Sequence, residues 1–201
     1  MKILVTGFAP FGGQSVNPSW EAVKGITNEA AVKVCLPVEW LEGPKTLIAA
    51  IEEIKPDAVI LFGQAGGRKG ISLEKVAVNI CSCKAPDNAG VLKTGEAIRE
   101  GAPDALASTL PLDEIMESLT AAGIEAHYSY DAGMFICNEV MWCALEYART
   151  ERPGMPAGFI HLPFIPGQSE TAPCMPLPEQ ERAANIIADT VLKALYKGQD
   201  R

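Results

Sequence analysis

The feature that most constrains this chain is the recurrence of short apolar runs separated by stretches of helical period. Residues 3–6 (ILVT), 32–36 (VKVCL), 58–62 (AVILF) and 158–162 (GFIHL) read as strands. A strand that is apolar throughout, such as 58–62, is one covered on both faces, the situation in parallel sheets. Between them lie segments whose apolar residues fall on one helical face. Pro44 opens a helix in which Leu47, Ile51 and Ile54 align, ending before Pro56. Residues 112–122, closed by Gly123, and residues 135–148 follow the same period, as do residues 178–196 with Ile187, Val191 and Leu195 aligned. Pro18 starts a short helix, and residues 126–130 read as a strand. The segment 71–80 alternates, which predicts one strand with Glu74, Val76, Val78 and Ile80 on a common face. Residues 81–108, punctuated by Gly, Pro, Asp and Asn, predict a long functional loop with some helical turn. Strands alternating with helices give a mostly parallel α/β sheet with helices on both faces. At 201 residues the chain fits a single domain, 1–201.

Composition narrows the function classes. The net charge of −8, with no cluster of basic residues, argues against a phosphate-backbone partner. No run of apolar residues is long enough to span a membrane. Met1-Lys2 runs directly into a strand-like segment without the apolar core of a signal peptide, so a cytoplasmic location is expected. In a reducing compartment the six cysteines predict no disulfide framework. None are spaced C-x-x-C, and only two histidines are present, so no metal site is expected.

In open α/β sheets ligands bind beyond the carboxyl ends of the strands. Four segments are expected there: GFAPFGG (7–13), GQAGG (63–67), DAGMFIC (131–137) and HLPFIPGQ (161–168). Cys137 falls at the first turn of a helix, where free N–H groups and partial positive charge favour a thiolate and can hold an oxyanion. Its alternative is an inert core cysteine, a description that suits mid-helix Cys143 better. His161 ends a strand at the same edge and is the well-placed base, whereas His127, at the start of a strand, reads as a structural histidine bonded to backbone. Glu74 has two readings of equal weight: a buried carboxylate that orients an imidazole, or an edge residue in a weak ion pair. GQAGGRKG looks at first like a phosphate cradle, but a β-patterned segment follows it and there is no G-K-[ST].

Together the segments GFAPFGGQSVNPSWEAV (7–23), GQAGGRKGISLEKVAVN (63–79), PDN (86–88), SYDAGMFICNEV (129–140) and GFIHLPFIP (158–166) resemble the pyroglutamyl peptidase I family in both content and order. The resemblance implies an α/β/α sandwich and a cysteine omega-peptidase that removes N-terminal pyroglutamyl residues. It implies Cys137 as nucleophile, His161 as acid/base and Glu74 as its orienting partner, with no metal or cofactor. It further implies a homo-oligomer, commonly a tetramer, and a pocket in which Phe8 and Phe11 flank the lactam ring. Asn17 and Gln64 would supply polar contacts, and Phe135 and Ile136 would complete the wall. The chain departs from the pattern at Ala85, where a bulky aliphatic wall residue is usual, and at Lys84, where an arginine is usual. It also departs at Cys81, at Cys83, and at Gly167 in the PGQ turn. Two rivals remain: an amidase acting on another small lactam or glutamine-like substrate, and a catalytically idle binding protein.

Overall fold

The structure, a computed structural model, describes residues 1–199. Four strands, β1 (Ile3–Phe8), β2 (Ala31–Leu36), β3 (Ala58–Gln64) and β10 (Ala157–Leu162), lie parallel in the order β2-β1-β3-β10. Side chains of a strand alternate between faces, and here each face has its own core. Ile3, Ile60 and Ile160 point to one side, towards α1 (Pro18–Lys24), α3 (Leu112–Ala121) and α5 (Leu177–Gln199). Leu4, Leu61 and Phe159 point to the other, towards α2 (Glu42–Ile54) and α4 (Ile136–Thr150). In β1, β3 and β10 the apolar runs are unbroken because both sides of the strand are buried, while edge strand β2 is half-buried and exposes Lys33. This is the expected sheet with helices on both faces.

Two strands run the other way. β4 (Ile71–Glu74) pairs antiparallel with β10, and β9 (Ala126–Ser129) pairs parallel with β4 at the sheet edge. Residues 65–70 are too short a connection for a crossover, so the chain can only turn back after β3. The carboxyl end of β9 therefore does not share the edge where β3 and β10 end, although DAGMFIC still reaches the cavity lined by Gln64 and His161, as expected. The loop after Ser129 instead returns over the α4 face of the sheet.

The single strand expected over 71–80 is broken at Lys75. β5 (Val76–Val78) leaves the main sheet and pairs with β8 (Ala105–Ala107), while β6 (Cys81–Ser82) pairs with β7 (Thr94–Glu96). Ala77, not Val76 or Val78, is fully buried, and Ile80 is exposed. The side chain of Asn138 draws the chain over α4, accepting from Val78 N–H at 2.8 Å and donating to the carbonyls of Val78 and Ile80. The segment 81–108 is largely irregular, as expected of a loop, but carries β6, β7 and β8 in two small antiparallel ribbons, the second completed by β5, where helical turn was expected.

Candidate active site

Gly63, near the end of β3, and His161, in β10, stand side by side in the register of the parallel pair. A Cβ on Gly63 would lie 2.5 Å from the Phe159 ring and 3.0 Å from Cys137 Sγ, so only glycine lets the thiol approach this strand. Cys137 is the second residue of α4, after the N-cap Phe135. His161 is almost fully buried, with its ring centroid 4.7 Å from that of Phe159. Its Nδ1 lies 2.7 Å from Oε1 of Glu74, the last residue of β4. An ionised carboxylate can only accept, so Nδ1 carries the hydrogen and Nε2 is left as the basic nitrogen.

Glu74 has no solvent exposure, and a lone buried carboxylate would be costly. Arg68 removes much of that cost. Its guanidinium donates to Glu74 Oε1 at 2.5 Å, to Ser129 Oγ at 3.1 Å and to the Asp131 carbonyl at 2.5 Å. Glu74 Oε2 is buried and makes no hydrogen bond among the described residues. Of the two readings left open for Glu74, the geometry is that of the carboxylate orienting an imidazole.

Burial pushes the Cys137 thiol up to about 12, and the Glu74 charge acts in the same direction, against Arg68 and the residue's own backbone N–H. The expectation of a helix-stabilised thiolate is thereby reversed. A helix terminus, worth at most about 2 kcal/mol or about 1.5 pK units, does not offset that burial. Burial also lowers the His161 pKa, opposed by the Glu74 carboxylate beside it. Burial thus opposes charge on both members of the pair.

A cavity of about 230 Å³ opens onto these groups. Phe8, Phe11, Asn17, Gln64, Phe135, Ile136, Cys137 and His161, all anticipated from sequence, line it. Phe11 and Phe135 face each other at 6.3 Å, and Trp40 buttresses Phe135 edge-on at 5.1 Å. Asn17 has a structural task as well. Its Oδ1 caps α1 by accepting from Ser19 N–H and Ser19 Oγ, and its Nδ2 donates to the Ala9 carbonyl.

Sequence reasoning missed Arg68 and Val38, which also line the cavity, whereas Asp131–Gly133 lie in it within a segment expected at the site. The available signal for Arg68 was a cation in a Gly-rich turn shortly before a carboxylate in an apolar strand. Lys84 and Ala85 are exposed and lie outside the cavity, so the departure at Ala85 opens no gap in its wall. His127 is exposed on the edge strand and bonds the Ser72 hydroxyl at 3.0 Å, not the backbone as expected. The six cysteines are all unpaired. Among the described residues no cluster of three or more His, Cys, Asp or Glu is placed to hold a metal. No helix among them is long and apolar enough to cross a membrane.

The family model described as pyroglutamyl peptidase matches residues 1–194. The pyrrolidone-carboxylate peptidase of Thermococcus onnurineus is 44% identical over 96% of this chain and 100% of its own length. That of Finegoldia magna is 41% identical over 98% and 91% respectively. Among solved structures, pyroglutamyl peptidase I of Bacillus amyloliquefaciens superposes with a TM-score of 0.93 at 39% identity, covering 96% of this chain and 97% of that one. A mutant pyrrolidone carboxyl peptidase from the hyperthermophile Pyrococcus furiosus gives 0.90 at 38% identity, covering 97% and 100%. With a match that runs nearly the whole length in sequence and in fold, this chain belongs to the pyroglutamyl peptidase family of cysteine peptidases.

Proposed function

We propose that this chain hydrolyses the bond after an N-terminal pyroglutamyl residue of peptides, through an acyl-enzyme on Cys137. The observation that carries the reading is the opening of an aromatic cavity onto Cys137 and onto a histidine whose Nδ1 is held by a buried carboxylate. Substrate enters with its flat, uncharged ring between Phe8, Phe11 and Phe135, which are lined up to cover its faces. His161 Nε2 takes the thiol proton as Sγ attacks the scissile carbonyl, and Glu74 stabilises the imidazolium formed in that step. Free N–H groups at the start of α4 receive the oxyanion. The imidazolium then protonates the leaving amine, and water, deprotonated by the same nitrogen, hydrolyses the thioester.

A high thiol pKa is compatible with this cycle, because proton transfer and attack are coupled and no standing thiolate is needed. The nucleophile, the base and its orienting carboxylate are all supplied by the chain, so the proposed cycle draws on no cofactor or metal. By the same reading residues 1–201 act as one peptidase domain, in the cytoplasm, as a homo-oligomer that family resemblance makes a tetramer.

The test is turnover of a fluorogenic pyroglutamyl amide. Wild-type protein should cleave it in an iodoacetamide-sensitive manner. Cys137→Ala should be folded and inactive, and Cys143→Ala should retain activity with at most a modest packing loss. Activity in a folded Cys137→Ala protein would end the cysteine-peptidase mechanism.

A further inference from the structure

Gln168, in the turn after β10, has both ends of its side-chain amide committed. Its Oε1 accepts from Ile165 N–H at 2.9 Å, and its Nε2 donates to the Val16 carbonyl at 3.3 Å and to Gln64 Oε1 at 3.0 Å. A backbone N–H can only donate and a carbonyl can only accept. The two main-chain partners therefore fix which way the Gln168 amide points, since a flipped amide would lose both. What faces Gln64 is necessarily an N–H. Gln64 must turn its own oxygen towards it, and its –NH₂ group is the end left for the cavity that the residue lines. Asn17 has the same polarity: its oxygen is occupied by two Ser19 donors, and one Nδ2 hydrogen remains beyond the bond to Ala9.

Both amides in the cavity wall thus offer donors. The strong acceptor on a lactam ring is its carbonyl oxygen. We propose that Gln168 is a positioning residue for substrate recognition, holding the Gln64 –NH₂ group towards the cavity as the donor to the ring carbonyl. The arrangement favours a neutral ring carrying an acceptor at that position over a prolyl ring, which has none and brings a charged amine. This inference rests on the pyroglutamyl-peptidase reading and names the residue that enforces its polarity.

Gln168→Glu provides the test. The new carboxylate can still accept from Ile165 N–H but has nothing to donate to Gln64 or to the Val16 carbonyl. Gln64 then turns its –NH₂ to the carboxylate and its oxygen to the cavity, where it opposes the ring carbonyl. A buried hydrogen bond lost in this way corresponds to a rise in KM of roughly 10- to 100-fold for a pyroglutamyl amide, with kcat changed less than about threefold. Alkylation of Cys137 by iodoacetamide should proceed at the wild-type rate, because the nucleophile and its base are untouched. Gln64→Met separates positioning from mere scaffolding. In the wild-type background it removes the donor and raises KM, whereas in the Gln168→Glu background it removes the misdirected oxygen and lowers KM. That reversal of sign is specific to an orienting role. Gln168→Met keeps the question answerable if the glutamate variant does not fold, and should raise KM several-fold by freeing Gln64 to rotate. Unchanged KM in folded Gln168 variants, or loss of kcat and Cys137 alkylation together, overturns the inference while wild-type activity upholds the functional reading. A wild-type protein inactive on the pyroglutamyl amide overturns both.

Discussion

At the scale of single residues, the site is governed by one shared oxygen. Glu74 Oε1 accepts from both His161 and Arg68, so the buried carboxylate is paired twice where a lone one would be costly. The pH dependence follows from the shifts. His161 is active as a base when neutral, that is, above its pKa, and burial depresses that pKa below its usual value of 6.5. The acid limb of kcat/KM for wild-type protein should therefore lie below pH 6.5. Glu74 raises the His161 pKa, so Glu74→Gln removes that support and should move the limb to still lower pH. The same change should reduce kcat by roughly 10²- to 10⁴-fold, since the imidazolium loses its counter-charge, with little effect on KM. A pH–rate profile of the variant checks both, and a limb shifted to higher pH would show that Glu74 does not face the imidazolium. Cys137 and His161 were legible because each sits at an element end next to Gly or Pro punctuation. Arg68 was less so, since a cation in a Gly-rich turn points to the buried oxygen only through the carboxylate six residues on.

At the scale of elements, legibility followed whether local sequence or a distant partner decides the backbone. Gly123 was readable as the stop of α3, because it takes a positive φ of 71° beyond the last turn. The end of α2, expected before Pro56, falls at Ile54 and was marked by the proline, but its cap conformation was not. Lys55 occupies the left-handed region at φ 51°, ψ 56°, where a lysine gives no sequence cue. The ribbons formed by β5 to β8 were also hidden, since their pairing depends on Asn138, far along the chain, holding Val78 and Ile80. The cap of α2 yields a prediction. A left-handed conformation costs an L-residue about 1–2 kcal/mol, and glycine gives back part of that through unfolded-chain entropy. Lys55 is solvent-exposed, so no packing is lost. Lys55→Gly should stabilise by about 0.5–1 kcal/mol, a rise of about 1–4 °C in Tm for a chain of this size. Gly123→Ala is the converse and should lower Tm, although its Cβ would meet no neighbouring atom. Calorimetry of the two variants compares them, and a fall in Tm for Lys55→Gly would mean that the lysine stem stabilises the helix end.

At the scale of the whole molecule, the sheet separates two cores with different duties. The α2/α4 face carries Phe159, whose ring packs against His161 at a tilt of 53° and fills the space that a Gly63 side chain would claim, so packing there sets the position of the base. The opposite face, under α1, α3 and α5, reaches the site through the strands and through Asn17 at the N-cap of α1. Ile187, fully buried in α5, belongs to that second core. Ile187→Ala leaves a cavity and should cost about 2–5 kcal/mol, lowering Tm by about 4–20 °C. Because the rigid sheet lies between, kcat/KM at 25 °C should stay within about twofold of wild type while the protein remains folded. Phe159→Leu removes less volume, so its Tm should fall less, yet it removes the ring against which His161 packs and should lower kcat markedly. Stability and activity are thus expected to dissociate across the sheet, in opposite order for the two substitutions. Parallel melting curves and steady-state kinetics measure this directly. A folded Ile187→Ala protein with severely reduced kcat would show that the site depends on both cores, and that the sheet transmits packing changes from one face to the other.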